Sequence, residues 1–213
     1  MHDATSPPTC LRLAIAPGVP SPHLSALLAL QHAEDPNVRL KFFEVEGDAL
    51  VRGLLEDRYD VGLSLRGQDD PSLKTQRLWA ENMAIAMPPR FRLLDQAKLT
   101  IESLQDYAVY RWKAEICPLL DERLASLMPV GQENIRQVTS FEMMALWIAA
   151  GYGVGVSAQS RIKHAHGWGI RMRALTDGPY DIVTYLQRPR ARADSVSERF
   201  ARRALQVAGV GAA

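Results

Sequence analysis

The residues best suited to bind a small molecule stand in two short turns, each at the predicted start of a helix. The two turns consist of Gly18, Val19 and Ser21, and of Thr139, Ser140 and Phe141. A hydroxyl and the backbone N–H groups of a helix N-terminus bind carboxylate, sulfate or phosphate oxygens without an added cation. Each hydroxyl also suits the capping of its own helix, and the two roles are compatible. The two turns are therefore candidate anion-binding sites.

Three further side chains of suitable chemistry stand near predicted strand ends. Arg66 follows the third predicted strand, and Arg111 and Trp112 end the predicted strand YAVYRW. A guanidinium binds a carboxylate through two parallel hydrogen bonds, and an indole ring offers a stacking surface. Arg66 is also compatible with a solvated loop charge, and Trp112 with a place in a hydrophobic core. Together they favour an anionic ligand, organic or inorganic, with an aromatic ring as one option.

The sequence contains no motif on which catalysis, a cofactor or a metal could rest. It lacks G-x-S-x-G, H-E-x-x-H and a Walker loop, so we expect no enzyme. Gly151, Gly153 and Gly155 end a predicted helix and enter a strand, whereas a dinucleotide-binding fingerprint follows a strand and opens a helix. His164 and His166 have no acidic or thiol partner nearby in sequence, which favours a solvated loop over a metal site. We expect neither a cofactor nor a metal.

Alternating strand and helix patterns position the first turn. Apolar residues alternate in LRLAI, VRLKFF and VGLSL, which predicts three strands. Helical spacing separates these strands, with Ser21 expected to cap the first helix and Asp48 the second. The β-α-β-α-β order predicts a parallel sheet with right-handed crossovers.

The second turn lies in a similar region further along the chain. LWAENMAIAMPP reads as a long strand, and Thr139-x-x-Glu142 predicts a capping box for the helix that follows. The last helix begins in RPRARADSVSERFARR, whose arginines we expect on its outer face.

The predicted fold class is α/β, with two Rossmann-like lobes joined by a two-segment hinge. Residues 10–88 and 181–208 are expected to form lobe I, residues 89–180 lobe II, and residues 1–9 a linker remnant. Open α/β sheets bind ligands outside the carboxyl ends of their strands, so we expect the ligand in a cleft between the lobes.

Composition limits the class of partner and the compartment. The 213 residues carry a formal net charge of +1, whereas a DNA-binding module usually has a clear basic excess. Cys10 and Cys117 are far apart and suit a reducing compartment. The N-terminus lacks the basic and apolar regions of a secretory signal, and no apolar run approaches the roughly 18 residues of a membrane span. We expect a cytoplasmic protein.

Four fragments resemble, in order and spacing, the effector-binding (substrate-binding) domain of LysR-type transcriptional regulators. They are LRLAIAPG, EVEGDALVRGLLEDRYDVGLSLRG, LWAENMAIAMPP and VTSFEMMALWIAAGYGVGVSAQS. The resemblance covers residues 10–206 and implies a type 2 periplasmic-binding-protein-like fold that senses a small effector. In this family the turn that holds Ser21 contacts effectors, and both turns often bind effector carboxylates.

The resemblance also implies partners. Family domains pair antiparallel, with the first helix of one lobe beside the partner's helix in the other lobe, and form higher oligomers in the full-length protein. This assigns a homodimer interface to Leu24, Leu27, Leu28, Met144 and Trp147, although the same apolar faces suit core burial. DNA is bound by an N-terminal winged helix-turn-helix. No segment of this sequence matches that module, so we interpret the chain as an excised sensor that reaches DNA only through such a domain.

Other readings of the same fold stay open. A solute-binding protein would need an export signal, and a small enzyme of the dehydratase or deaminase kind would need catalytic groups converging on the cleft. A regulator without a DNA-binding domain, acting through mixed dimers, is a further option. The effector itself is not named by the sequence.

Overall fold

The computed structural model describes residues 9–67, 70–127, 134–191 and 195–210, apart from the side chains of residues 21, 127 and 210. All but the last residue of the predicted linker at 1–9 lies outside the described residues. The chain divides into two compact units, which are Met1–Trp79 with Val183–Ala213, and Ala80–Ile182.

The first unit is built from both ends of the chain. Its elements are β1 (Cys10–Ile15), α1 (Ser21–Glu34), β2 (Arg39–Glu44), α2 (Gly47–Leu55), β3 (Val61–Ser64), the start of β4 (Leu73–Met87), most of β9 (Asp181–Pro189) and α6 (Ser195–Val210). Strand β1 lies between β2 and β3 and is parallel to both, which confirms the predicted β-α-β-α-β unit. Strand β9 joins β3 in the antiparallel sense.

The core of the first unit follows from the sequence periodicities. Leu11 and Leu13 alternate inward along β1, and Leu27 meets them from the inner face of α1. Phe200 and Ala204 of α6 close the same cluster. Each fully buried large apolar side chain contributes about 1.5–3 kcal/mol of transfer free energy. The turn between β1 and α1 is therefore attached to a well-packed frame.

The second unit is formed by the middle of the chain. Its elements are the end of β4, β5 (Val109–Trp112), α3 (Pro118–Leu127), β6 (Ile135–Val138), α4 (Phe141–Ala149), β7 (Val154–Ala158), α5 (Gln159–His164) and β8 (Arg171–Ala174). Three short 3₁₀ helices span Arg92–Asp95, Glu102–Leu104 and His166–Trp168. Strand β5 is parallel to β6 and β7, whereas β4 runs antiparallel to β7 and β8.

Gly151 and Gly153 lie between α4 and β7, and Gly155 lies within β7. Gly151 has a φ of +85°, which suits a helix C-terminus. A Cβ on Gly153 would lie 2.2 Å from the carbonyl oxygen of Ala108, and one on Gly155 would lie 2.4 Å from Ile148 Cδ1. The positive φ therefore accounts for Gly151, and close packing accounts for Gly153 and Gly155.

Three predicted helix caps are wrong by one or two residues. Helix α1 begins at Ser21 with Pro20 as its N-cap, and α2 begins at Gly47 with Glu46 as its N-cap. The capping box of Thr139 and Glu142 does not form, because Ser140 is the N-cap of α4. A hydroxyl or carboxylate marks a helix start only approximately, since the last extended residue is set by how the preceding turn packs.

Two other predictions are corrected. His164 ends α5 and His166 begins a 3₁₀ helix, so the expected loop is helical. The arginines near α6 do not all lie on its outer face, because Arg188 and Arg203 are buried. Arg188 reaches both carboxylate oxygens of Glu198, at 2.5 and 3.0 Å. These two arginines can be buried because each forms an ion pair with a carboxylate, which compensates for the loss of water around the guanidinium.

None of the helices in the described part of the chain is long and apolar enough to cross a membrane.

Candidate functional site

The first predicted turn lies between β1 and α1. Gly18 adopts a φ of +89°, a conformation that favours glycine, and Val19 is buried. Pro20 precedes the helix and Pro22 lies in its first turn, so Pro22 supplies no N–H there. The backbone donors left without a helical partner at this end of α1 are therefore those of Ser21 and His23. The side chain of Ser21 lies outside the described residues.

Arg66 lies two residues beyond β3 in the same unit. Its exposed guanidinium is 3.6 Å from the Asp48 carboxylate in the first turn of α2. Exposed pairs of this kind contribute little, about 0–1 kcal/mol, so Arg66 is held only loosely. Ser64 steadies the backbone here, since its hydroxyl lies 2.8 Å from the Arg66 carbonyl oxygen.

An aromatic pair that no sequence pattern predicted lies beside the first turn. The rings of His23 and Trp79 stack at 5.1 Å with an interplanar angle of 14°. Among the described residues, neither His23 Nδ1 nor Trp79 Nε1 has a hydrogen-bond partner. No sequence pattern predicts this pair, because the contact joins His23 of α1 to Trp79 of β4, which is distant in sequence.

The second predicted turn is assembled with Trp112 in the other unit. The indole Nε1–H donates to the Thr139 carbonyl oxygen at 3.0 Å. Ser140 Oγ accepts from the Met143 backbone N–H at 3.2 Å and so caps α4. The parallel pairing of β5 with β6 sets Trp112 beside Val138, which brings the strand end and the turn together. Trp112, Thr139 and Ser140 thus form one local cluster.

A cation that the sequence analysis did not single out joins this cluster. The Arg161 guanidinium lies 4.6 Å from the centroid of the Trp112 ring and 5.7 Å from that of Phe141. Phe141 itself is buried in the core of its unit, so it supports the turn from beneath. Arg161 is in α5, which the sequence analysis did not predict as a helix.

Glu115 anchors Arg161 from the interior. Its Oε1 accepts from Arg161 Nε at 2.8 Å and from the Ser157 hydroxyl at 2.8 Å. Burial raises the pKa of the Glu115 carboxyl, and the charge of Arg161 and the Ser157 hydrogen bond oppose that rise. A buried carboxyl that shares one oxygen between two donors fixes both donors in position.

Arg111, a predicted ligand contact, is engaged by neighbours within the second unit. Its side chain is largely buried and forms an ion pair with Asp121 of α3. It also lies 3.4 Å, through Nη2, from the Glu115 carbonyl oxygen. These contacts hold the segment after β5 against α3. Arg111 thereby helps to position the neighbouring Trp112.

The five residues assigned to a dimer interface differ in how far they are buried within their own unit. Leu27 and Met144 are fully buried in the cores of their own units, and Leu24 and Leu28 are partly buried against the first core. Trp147 is 38% exposed, and it stacks on Tyr110 and meets Tyr152 edge-on. The exposed large apolar side chains of α4 and its C-terminal end are those of Met143, Leu146, Trp147 and Tyr152.

Comparison with known proteins identifies the family. The model of the LysR substrate binding domain matches residues 6–209. The chain belongs to this family. No curated protein matches the sequence of this LysR substrate-binding domain significantly.

Solved structures share its fold at low sequence identity. A full-length BenM variant superposes with a TM-score of 0.84 at 16% identity, over 99% of this chain and 71% of that one. The BenM effector-binding domain with its effector benzoate gives 0.80 at 17% identity, over 97% and 95%. The effector-binding domain of QuiR in complex with shikimate gives 0.79 at 14% identity, over 94% and 97%. The domain therefore has the type 2 periplasmic-binding-protein-like fold of these regulators.

Proposed function

We propose that this LysR substrate-binding domain senses a small anionic effector in the cytoplasm and acts as a regulatory module rather than as an enzyme. The effector contacts are assigned to two groups, one in each unit. They are Gly18, Val19, Ser21 and Arg66, and Arg111, Trp112, Thr139, Ser140 and Phe141.

The observation that supports this most directly is the cluster around the start of α4. An indole, a capped helix N-terminus and a guanidinium lie within one contact network of Trp112, Ser140 and Arg161. Helix N-termini and guanidinium groups both favour anions. The ligands named for the BenM and QuiR structures, benzoate and shikimate, each carry a carboxylate.

Signalling follows if one effector engages both turns. A ligand shifts an equilibrium between conformations only by the difference in its affinity for them. We propose that the effector favours the arrangement in which the N-terminus of α1 and that of α4 both reach it. The domain passes this change on as a homodimer, with α1 of one copy beside α4 of the other, to a DNA-binding domain.

Ligand-dependent thermal stability tests the proposal. The wild-type chain and its Ser21→Ala and Ser140→Ala variants are screened against benzoate, shikimate, small aliphatic carboxylates, amino acids and inorganic anions. A ligand that binds only the folded state raises the free energy of unfolding by mass action. We expect at least one anion to stabilise the wild type and both variants to respond less.

The control is Ser126→Ala, because Ser126 is an exposed hydroxyl on α3 that bonds only to the Arg123 carbonyl among the contacts described. A ligand that stabilises all four proteins equally would place the site elsewhere. A ligand recovered chemically changed after incubation would contradict the assignment as a sensor.

A further inference from the structure

Arg161 and Glu115 differ sharply in their access to solvent. The Glu115 side chain is 1% exposed, whereas that of Arg161 is 18% exposed. Their ion pair, with Nε and Oε1 2.8 Å apart, therefore has an anionic member that solvent hardly reaches and a cationic member at the surface. A molecule approaching this end of the second unit meets the guanidinium and not the carboxylate.

The surroundings hold the guanidinium in one orientation. Ser157 of β7 donates to the same Oε1, which keeps the Glu115 carboxyl in place beneath Arg161. The Trp112 ring lies against the guanidinium at 4.6 Å, and this cation–π contact limits its rotation. A guanidinium that is oriented before a ligand arrives loses little conformational entropy when it binds one.

We propose that Arg161 is the specificity-determining residue of the effector site and selects small carboxylates over neutral molecules of the same shape. Glu115 is its positioning residue. This inference rests on the proposed function, because it names the chemistry that the ligand site prefers. The carboxylate binds beside the Trp112 ring, with the guanidinium as its charged partner.

Matched pairs of ligands test the inference by calorimetry. The probes are benzoate with benzamide, and shikimate with its methyl ester, so that each pair differs in charge and little in shape. The proteins are the wild type, Arg161→Gln, Glu115→Gln, the double variant, and Arg90→Gln as a control at an exposed arginine after β4. The double variant guards against misfolding, because it leaves no unpaired buried charge.

The single variants are expected to act in opposite directions. Loss of a charge-assisted hydrogen bond in Arg161→Gln lowers carboxylate affinity roughly tenfold to a hundredfold and leaves the neutral probes within about twofold. Glu115→Gln keeps an oxygen acceptor for Arg161 Nε and removes a nearby negative charge, so carboxylate affinity rises. The double variant binds acid and neutral probe alike, and Arg90→Gln behaves as the wild type.

The inference is overturned if Arg161→Gln binds the carboxylates as tightly as the wild type, or if Glu115→Gln weakens them equally, as a purely structural ion pair would require. It is also overturned if the wild type binds neutral probes as well as acids, or binds neutral probes alone. In those last cases small-molecule sensing still stands, but binding of neutral probes alone would remove the anionic effector from the proposed function. If no probe and no other small molecule binds, both proposals fail.

Discussion

Glu115 shows how a single buried carboxyl organises the second unit. Its side chain connects β7 through Ser157 and α5 through Arg161, while its backbone carbonyl meets Arg111. Removal of one partner from a buried pair is costly because the other charge is left unpaired. The cluster around Trp112 therefore depends on a residue that no ligand reaches.

The pKa of Glu115 predicts how stability changes with pH. Since burial raises this pKa above the ordinary 4.5, the folded domain binds this proton more tightly than the unfolded chain does. The wild type therefore loses unfolding free energy as the pH rises above about 4.5. Glu115→Gln lacks this loss, so its stability relative to the wild type increases as the pH rises above about 4.5.

Chemical unfolding at several pH values measures this difference. Glu122→Gln, a change at an exposed glutamate on α3, is the matched control and should follow the wild type. A stability difference for Glu115→Gln that is constant or decreases over this range would contradict the raised pKa.

Gly153 is the residue where one methyl group should matter most. An alanine there would bring Cβ to 2.2 Å from the Ala108 carbonyl oxygen, and that backbone cannot move without disturbing the pairing of β5 with β7. Gly153→Ala should lower the free energy of unfolding by about 3 kcal/mol. Gly167→Ala, whose Cβ would meet nothing within 4 Å, should change it by less than about 0.5 kcal/mol. Denaturant titration of both variants checks this, and similar costs would refute the steric explanation.

At the scale of elements, an arginine cluster joins α1 to α6. Arg203 donates to Gln31, Glu34 and Asp35, all at 2.7 Å. Arg199 adds a 2.8 Å bond to Asp35, and the Arg199 and Arg203 hydrogen bonds lower the pKa of that carboxyl against the opposing effect of burial. Because α1 carries the first turn at its other end, this cluster positions a predicted ligand contact from a distance.

Arg203→Ala should lower the free energy of unfolding by about 2–3 kcal/mol. This is below the roughly 3–5 kcal/mol of a fully buried pair, because the carboxylates left behind reach solvent. Arg202→Ala, one residue away and exposed, is the control and should cost less than about 0.5 kcal/mol. Thermal or denaturant unfolding distinguishes the two, and equal costs would mean that the cluster contributes nothing.

At the scale of the whole molecule, the proposed dimer depends on apolar residues that the monomer leaves accessible. Leu146 on α4 is 62% exposed and Leu119 on α3 is 64% exposed, so they form a matched pair. Leu146→Asp should shift the protein toward monomer, whereas Leu119→Asp should not, because a desolvated charge opposes association only inside the interface. Sedimentation velocity measures both. A monomeric wild type, or equal effects of the two changes, would remove α4 from the interface.

The sequence by itself determined most of the local elements and the two turns, but not α5. Leu11, Leu13 and Leu27 bury as their periodicities predict, since a period of two or 3.6 residues places them on one face of a strand or helix. A hydroxyl cap at the start of α4 was predicted from the residue types there, but at Thr139, whereas the N-cap is Ser140. These are effects of neighbours along the chain, which a sequence displays directly.

The tertiary structure decided which charges meet. Arg161 lies 46 residues from Glu115, and Arg203 lies 172 residues from Gln31, so no spacing rule connects them. An arginine in a sequence looks the same whether it faces water or a buried carboxyl. A buried charge is no longer solvated by water, so its stability depends on the partner that it meets in the interior. Only the packing of strands and helices determines which charges are buried and which partners they meet.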